Sequence, residues 1–171
     1  MVCLLFFSLP AVSARAQVYP LISQSIAVVD SGVAWYDVQN ISVEGKGWSD
    51  TESFYDRLPS RAKGVVRDEV WGLSRDAAGL CVRFATDASA ILVAWDGGDG
   101  MQHMPATGKS GVDLYVKRDG VWRYLRVGRP ETTRTARRLV DHLPARQTEY
   151  ILYLPLYNQV TKVEIGVPAG A

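Results

Sequence analysis

Two histidines, His103 and His142, are the only imidazoles in 171 residues, so acid–base or metal chemistry must be built around them or do without. Asp141 and His142 adjoin and would be the natural start of a proton relay. Adjacent residues on a strand point to opposite faces, which opposes a relay, so the pair reads as exposed turn residues. His103, in Gln102-His103-Met104-Pro105, is better placed for a polar contact, with a loop-structuring hydrogen bond as its simplest use. The chain has no G-x-S-x-G elbow, no H-E-x-x-H and no paired C-x-x-C. Gly45-Lys46-Gly47 is not a phosphate loop, because no helical pattern follows to offer an N-terminus. Cys81, in the apolar run Leu80-Cys81-Val82, reads as a small buried core residue rather than a reactive thiol. No catalytic residue, metal ligand or cofactor site is expected.

Five Trp, eight Tyr and four Phe are the richer resource, because aromatic faces can pack on the apolar faces of sugar rings. Trp35, Trp71 and Trp95 read as core or loop-anchoring residues. Trp122 and Tyr124 share a polar strand face with Tyr115 and are the candidate sugar contacts. Nucleic acid is not an expected partner: 19 basic residues against 18 acidic leave a net charge of +1. The Lys117–Arg146 segment holds nine basic and three acidic residues. Its arginines alternate with apolar residues, as a solvated sheet face would.

Short strands must position these side chains. With 47% hydrophobic and 22% charged residues, the chain has the composition of a globular domain. A chain of about 150 residues buries roughly 70% of its unfolded surface. Asp119-Gly120 is the strongest local signal, a two-residue turn joining Val112–Arg118 to Val121–Val127. Leu80–Ala85, Ala90–Trp95, Tyr150–Leu154 and Val160–Val167 read as further strands, with Ala136–Val140, Trp35–Val38 and Ile41–Val43 as shorter ones. No window of eleven or more residues carries a helical stripe. Seven to nine such strands predict an all-β, antiparallel, jelly-roll-like sandwich. Two longer connections, Glu44–Asp76 and Asp96–Ser110, are where binding residues would sit.

The first sixteen residues read as a signal peptide. The apolar run Val2–Leu9 precedes Ala14-Arg15-Ala16, an A-x-A cleavage pattern, and is too short to span a bilayer. Without residues 1–16 the chain keeps one cysteine, Cys81, which cannot form an intramolecular disulfide. Export to a bacterial periplasm or the exterior is therefore expected. Residues 17–33 read as a lead-in arm or first strand, and 34–171 as one sandwich domain.

At Ser110-Gly111-Val112-Asp113-Leu114-Tyr115 the sequence stops looking generic, since Asp is disfavoured in strands. Gly111, Asp113, Leu114 and Tyr115 spell a G-x-D-L-Y string that resembles the signature of the N-terminal domain of SGNH-hydrolase-type esterases. Other pieces agree with that family in order: Trp35-Tyr36-Asp37-Val38, Val43-Glu44-Gly45-Lys46-Gly47-Trp48, Tyr55-Asp56-Arg57-Leu58-Pro59, His103-Met104-Pro105-Ala106-Thr107-Gly108 and Tyr153-Leu154-Pro155-Leu156-Tyr157-Asn158. The resemblance runs over Val33–Ala171. It implies a two-domain exported enzyme in which a β-sandwich precedes an α/β domain carrying the catalytic Ser, Gly, Asn and His blocks. The G-D-S and D-x-x-H blocks are missing from this chain, which is expected to stop about where a hydrolase domain would begin.

The resemblance thus implies a non-catalytic accessory domain whose partner is the C-terminal hydrolase domain. A stand-alone carbohydrate-binding module is the competing reading, with carbohydrate as a second partner class. His103, Met104 and Pro105, with Leu156, Tyr157 and Asn158, are the candidate interdomain interface, because Leu154–Tyr157 places apolar groups in a turn. A carboxylate at a strand start is costly unless it accepts hydrogen bonds, so Asp113 is expected to brace the Gly108–Gly111 approach.

Overall fold

A computed structural model describes residues 20–96, 98, 101–131 and 133–170; the expected signal peptide lies outside them. The chain forms ten strands: β1 (Ala27–Asp30), β2 (Val33–Asp37), β3 (Val43–Glu44), β4 (Cys81–Thr86), β5 (Ile91–Asp96), β6 (Val112–Arg118), β7 (Val121–Gly128), β8 (Arg134–Val140), β9 (Thr148–Tyr153) and β10 (Val163–Pro168). They pair antiparallel in two five-stranded sheets, ordered β1-β2-β10-β5-β8 and β3-β4-β9-β6-β7. Strands that follow one another (β4 and β5, β7 and β8, β9 and β10) lie in opposite sheets, as in a jelly roll. The all-β sandwich read from the strand pattern is the fold observed.

Period-two alternation builds the interior. Leu80, Val82 and Phe84 point inward from β4, Val112, Leu114 and Val116 from β6, and Val163, Ile165 and Val167 from β10; all are buried. Phe84 stacks on its cross-strand neighbour Tyr150 of β9, with ring centroids 5.5 Å apart. Cys81 is buried as expected, and burial pushes its thiol pKa up, which disfavours the reactive thiolate. The turn at Asp119-Gly120 has φ of 52° and 76°, the left-handed pair that a two-residue hairpin requires. Ser31-Gly32 makes the corresponding turn between β1 and β2, with φ of 50° and 78°. The lead-in segment is therefore more than an arm: it supplies β1, and Ile22 is buried in the core.

Two helices occupy connections that lack a helical stripe, α1 (Asp68–Ser74) and α2 (Ala106–Ser110). Each is only one or two turns long, below the length at which periodicity is legible. The expected Ile41–Val43 strand is reduced to β3, because a 3-10 turn at Val38–Asn40 carries Ile41 off the ladder.

The strands sort the connections by length. The ends of β3, β5, β7 and β9 and the starts of β4, β6, β8 and β10, which the longer connections join, lie at one end of the sandwich. Short turns, at 31–32, 87–90 and 119–120, close the other. Asp96 locks the loop end. Its carboxylate accepts hydrogen bonds from the Thr161 and Lys162 backbone N–H groups, at 2.9 Å each, and from the Thr161 hydroxyl, and it pairs with Arg134 at 3.1 Å. Burial pushes the Asp96 carboxyl up, but the Thr161 and Lys162 donors together with Arg134 outweigh it and hold the pKa below the usual range.

A carboxylate with a lowered pKa contributes stability above its unfolded pKa near 3.9, and that contribution fades as pH falls through the folded value. Asp96→Asn should therefore cost about 1–2 kcal/mol at pH 7. The difference should shrink in urea melts carried out near pH 3.

Candidate functional site

The sequence string at the start of β6 is organised by one buried ring. Trp95, the last core residue of β5, is fully buried, and its indole N–H donates to the Ser110 carbonyl at 2.8 Å. This bond pins the end of α2. The next residue, Gly111, is confined by its neighbours: a Cβ there would lie 2.4 Å from the Thr107 carbonyl oxygen and 2.9 Å from that of Gly128. Only glycine fits. Gly128 is equally tight, with a Cβ falling 3.0 Å from the Trp95 ring. β6 then alternates: Val112 and Leu114 enter the core, while Asp113 and Tyr115 face outward and are half-buried.

On that outer face the ladder sets Asp113 beside Tyr153 and Val127, and Tyr115 beside Ile151 and Tyr124. Tyr115 meets Tyr153 and Tyr124 edge to face, with centroids 5.6 and 5.8 Å apart. Asp113, Tyr115 and Tyr153 line a cleft of about 340 Å³ with Gly108, Leu154 and Leu156. The expected brace is not what the structure contains. Among the described residues, the Asp113 carboxylate makes no hydrogen bond and no ion pair, although Gly108 and Gly111 line the same cleft. Burial alone pushes its pKa up.

The other charges on this face are matched. Arg83 pairs with Glu44 at 2.8 Å, and Lys117 with Glu149 at 2.7 Å. Trp122 lies among them, with the Arg83 guanidinium 5.5 Å and the Lys117 ammonium 5.6 Å from its ring. Of the two candidate sugar contacts, Tyr124 is the more open, at 56% exposure, while the Trp122 ring is engaged by these cations. A larger hollow of about 550 Å³ opens at the opposite end, between the Asp119-Gly120 turn and Arg146–Glu149. It holds no part of the string.

The six candidate interface residues lie on two segments that α2 connects. Met101 and Met104 exchange backbone hydrogen bonds at 3.1 Å, which puts His103 at an exposed turn tip. Pro105 is exposed and Met104 half-buried against Gly108. Tyr157 N–H donates to the Lys109 carbonyl at 2.9 Å and so ties the Leu154–Asn158 turn to α2. Leu156 and Tyr157 are 51% and 42% exposed, with Leu73 of α1 at 55% beside them across a shallow cleft of about 280 Å³. Leu156 lines both clefts. Asn158 is spent internally, its side-chain amide donating to the Asp96 and Gln159 carbonyls at 3.0 and 2.9 Å. Leu73 and Asp76 are the residues that sequence reasoning missed, since α1 had no signal to place it against the 154–158 turn.

His142 and Asp141 are the exposed turn residues expected. The strand argument against their contact does not apply, because His142 sits in a turn at φ 53°, and its ring meets the Asp141 carboxylate at 3.1 Å. The pair is 93% and 53% exposed, so it has no protected environment in which to relay a proton. Among the described residues, no group of three or more His, Cys, Asp or Glu is gathered as a metal site would require, and no helix is long and apolar enough to cross a membrane.

Residues 33–171 match the family described as the GxDLY N-terminus of SGNH-hydrolase-type esterases. The chain belongs to that family. Its matched segment is the N-terminal part of such esterases, not the catalytic one. No curated protein sequence matches the chain. Among solved structures it is similar to a GDSL-like lipase from Bacteroides ovatus ATCC 8483, at 31% identity and a TM-score of 0.74, over 81% of this chain and 41% of that one. A salicylyl-acyltransferase from a tetracycline biosynthetic pathway aligns at 18% identity and a TM-score of 0.49, over 85% of this chain and 39% of the other. The chain thus spans about two fifths of the length of the structures it matches.

Because the Asp113 pKa is raised, ionisation of this carboxyl opposes folding. The stability it confers is present below its unfolded pKa and is lost as pH rises through the folded value. Asp113→Asn should therefore match or slightly exceed the parent at pH 7, by less than about 0.5 kcal/mol. That margin should close in acid, and thermal melts at the two pH values measure it.

Proposed function

We propose that this chain is the non-catalytic N-terminal accessory domain of an exported SGNH-type esterase, and that its loop end meets the hydrolase domain. The observation that carries this reading is the apolar cluster of Leu73, Leu156 and Tyr157, exposed beside the outward half of the family string. Exposed side chains of this size, grouped around a cleft, mark contact surfaces, and an interdomain contact covers roughly 600–1,500 Å². His103, Met104 and Pro105 form the second arm of that surface. Ester hydrolysis belongs to the other domain in this reading, since the two histidines of this chain lie on exposed turns. The substrate class of the whole esterase is an acyl ester, on carbohydrate or on another alcohol. Export rests on the apolar run and A-x-A pattern of residues 1–16, and the unpaired, buried Cys81 is compatible with an oxidising compartment.

The competing module reading draws on Tyr124, the exposed aromatic beside Tyr115. It is the weaker one, because the indole that would supply the main stacking face is held by Arg83 and Lys117.

Two measurements test the proposal. Purified residues 17–171 should show only background hydrolysis of p-nitrophenyl acetate, and turnover abolished by a serine-directed inhibitor would refute the non-catalytic role. With an SGNH-type hydrolase domain supplied in trans, Leu156→Asp and Tyr157→Asp should each weaken association at least tenfold. Both should leave the melting temperature within about 2–4 °C, as exposed positions do. Unchanged association in both variants would place the contact elsewhere.

A further inference from the structure

The family string divides into residues the domain uses and residues it does not. Gly111 and Leu114 are accounted for by packing: one admits no side chain, and the other fills the core. Asp113 and Tyr115 face outward, and the Asp113 carboxylate has no partner among the described residues. Its surroundings make that unusual. Arg83, Glu44, Lys117 and Glu149, the other charged groups of the same sheet face, are paired with each other. One half-buried negative charge is left over. It sits in a 340 Å³ cleft whose walls are Tyr115, Tyr153, Leu154 and Leu156 and the backbone of Gly108 and Gly111.

A carboxylate beside two phenol rings and an aliphatic rim suits one chemistry best. A cation on an apolar stem gains a charge-assisted hydrogen bond from the carboxylate and attraction from the ring faces, while its methylenes lie against leucine. A neutral polyol would gain the hydrogen bond without neutralising the charge. We propose that the Asp113 cleft receives a guanidinium or ammonium group, carried by a basic side chain of the hydrolase domain that follows this domain in the family. The proposal rests on the accessory-domain reading for the source of the cation, and it names a polar anchor for the apolar surface around Leu156. A buried charge pair ringed by apolar contacts fixes register as well as affinity.

The cleft can be tested on the full chain with free probes. N-acetyl-L-arginine amide and its uncharged isostere N-acetyl-L-citrulline amide are titrated separately, with NMR observation of the Asp113 carboxyl and the Tyr115 and Tyr153 rings. The arginine derivative should shift all three, the citrulline derivative should bind at least tenfold more weakly, and added salt should weaken the former only. Asp113→Asn should lose at least tenfold in arginine binding, and Asp113→Glu should retain most of it. Equal shifts by both probes, or full binding by Asp113→Asn, would overturn the proposal. Should Asp113→Asn not fold, the comparison of the two probes on the parent chain decides alone. Cellobiose is the third probe: a shift at Asp113 with the disaccharide and none with arginine would overturn the cation site in favour of carbohydrate. Because these probes need no hydrolase domain, failure of the cleft and failure of the docking reading are separable. Arginine binding in a chain that associates with no hydrolase domain would keep the cleft and overturn the source assigned to its cation.

Discussion

The loop end of this sandwich depends on the burial of Trp95. Its ring fills the space between the start of β6 and the ends of β5 and β7, and its one polar atom is satisfied by the Ser110 carbonyl. An indole N–H buried without an acceptor would cost about 1–3 kcal/mol, so the ring and the α2 backbone are placed together or not at all. Gly128 is a consequence of that packing, since a Cβ there would crowd the Trp95 ring, and Gly111 in turn has no room for a Cβ against the Thr107 and Gly128 carbonyls. From there the chain enters β6 in a single register, and Asp113 and Tyr115 can only point outward.

That register explains how four residues of one short string serve two purposes. In a strand, neighbours alternate between core and surface. A family string that spans a strand start therefore contains an inward half, which the domain needs to fold, and an outward half, which it does not. The outward half lies beside Leu156 and Tyr157 because β9 pairs with β6 and then turns across α2. Three separate stretches of sequence, around residues 73, 113 and 156, become one surface.

Strand periodicity and turn chemistry are local properties, and they determined most of the fold. The alternation in Leu80–Ala85, Val112–Arg118 and Val163–Val167 is written in single side chains, and the Asp119-Gly120 turn follows from which residues tolerate positive φ. The family string and its neighbours were equally legible, because they are contiguous. What the sequence could not determine is which outward residues find partners. Asp113 read as a braced carboxylate and is an unpaired one. Trp122 read as a candidate sugar contact and has two cations over its ring. Both outcomes depend on strand pairing, which sets Asp113 beside Tyr153 and brings Arg83 and Lys117 to the Trp122 ring. Local pattern specifies a strand and its buried face, but the partners across an exposed face are assigned by strand order, which is a property of the whole chain.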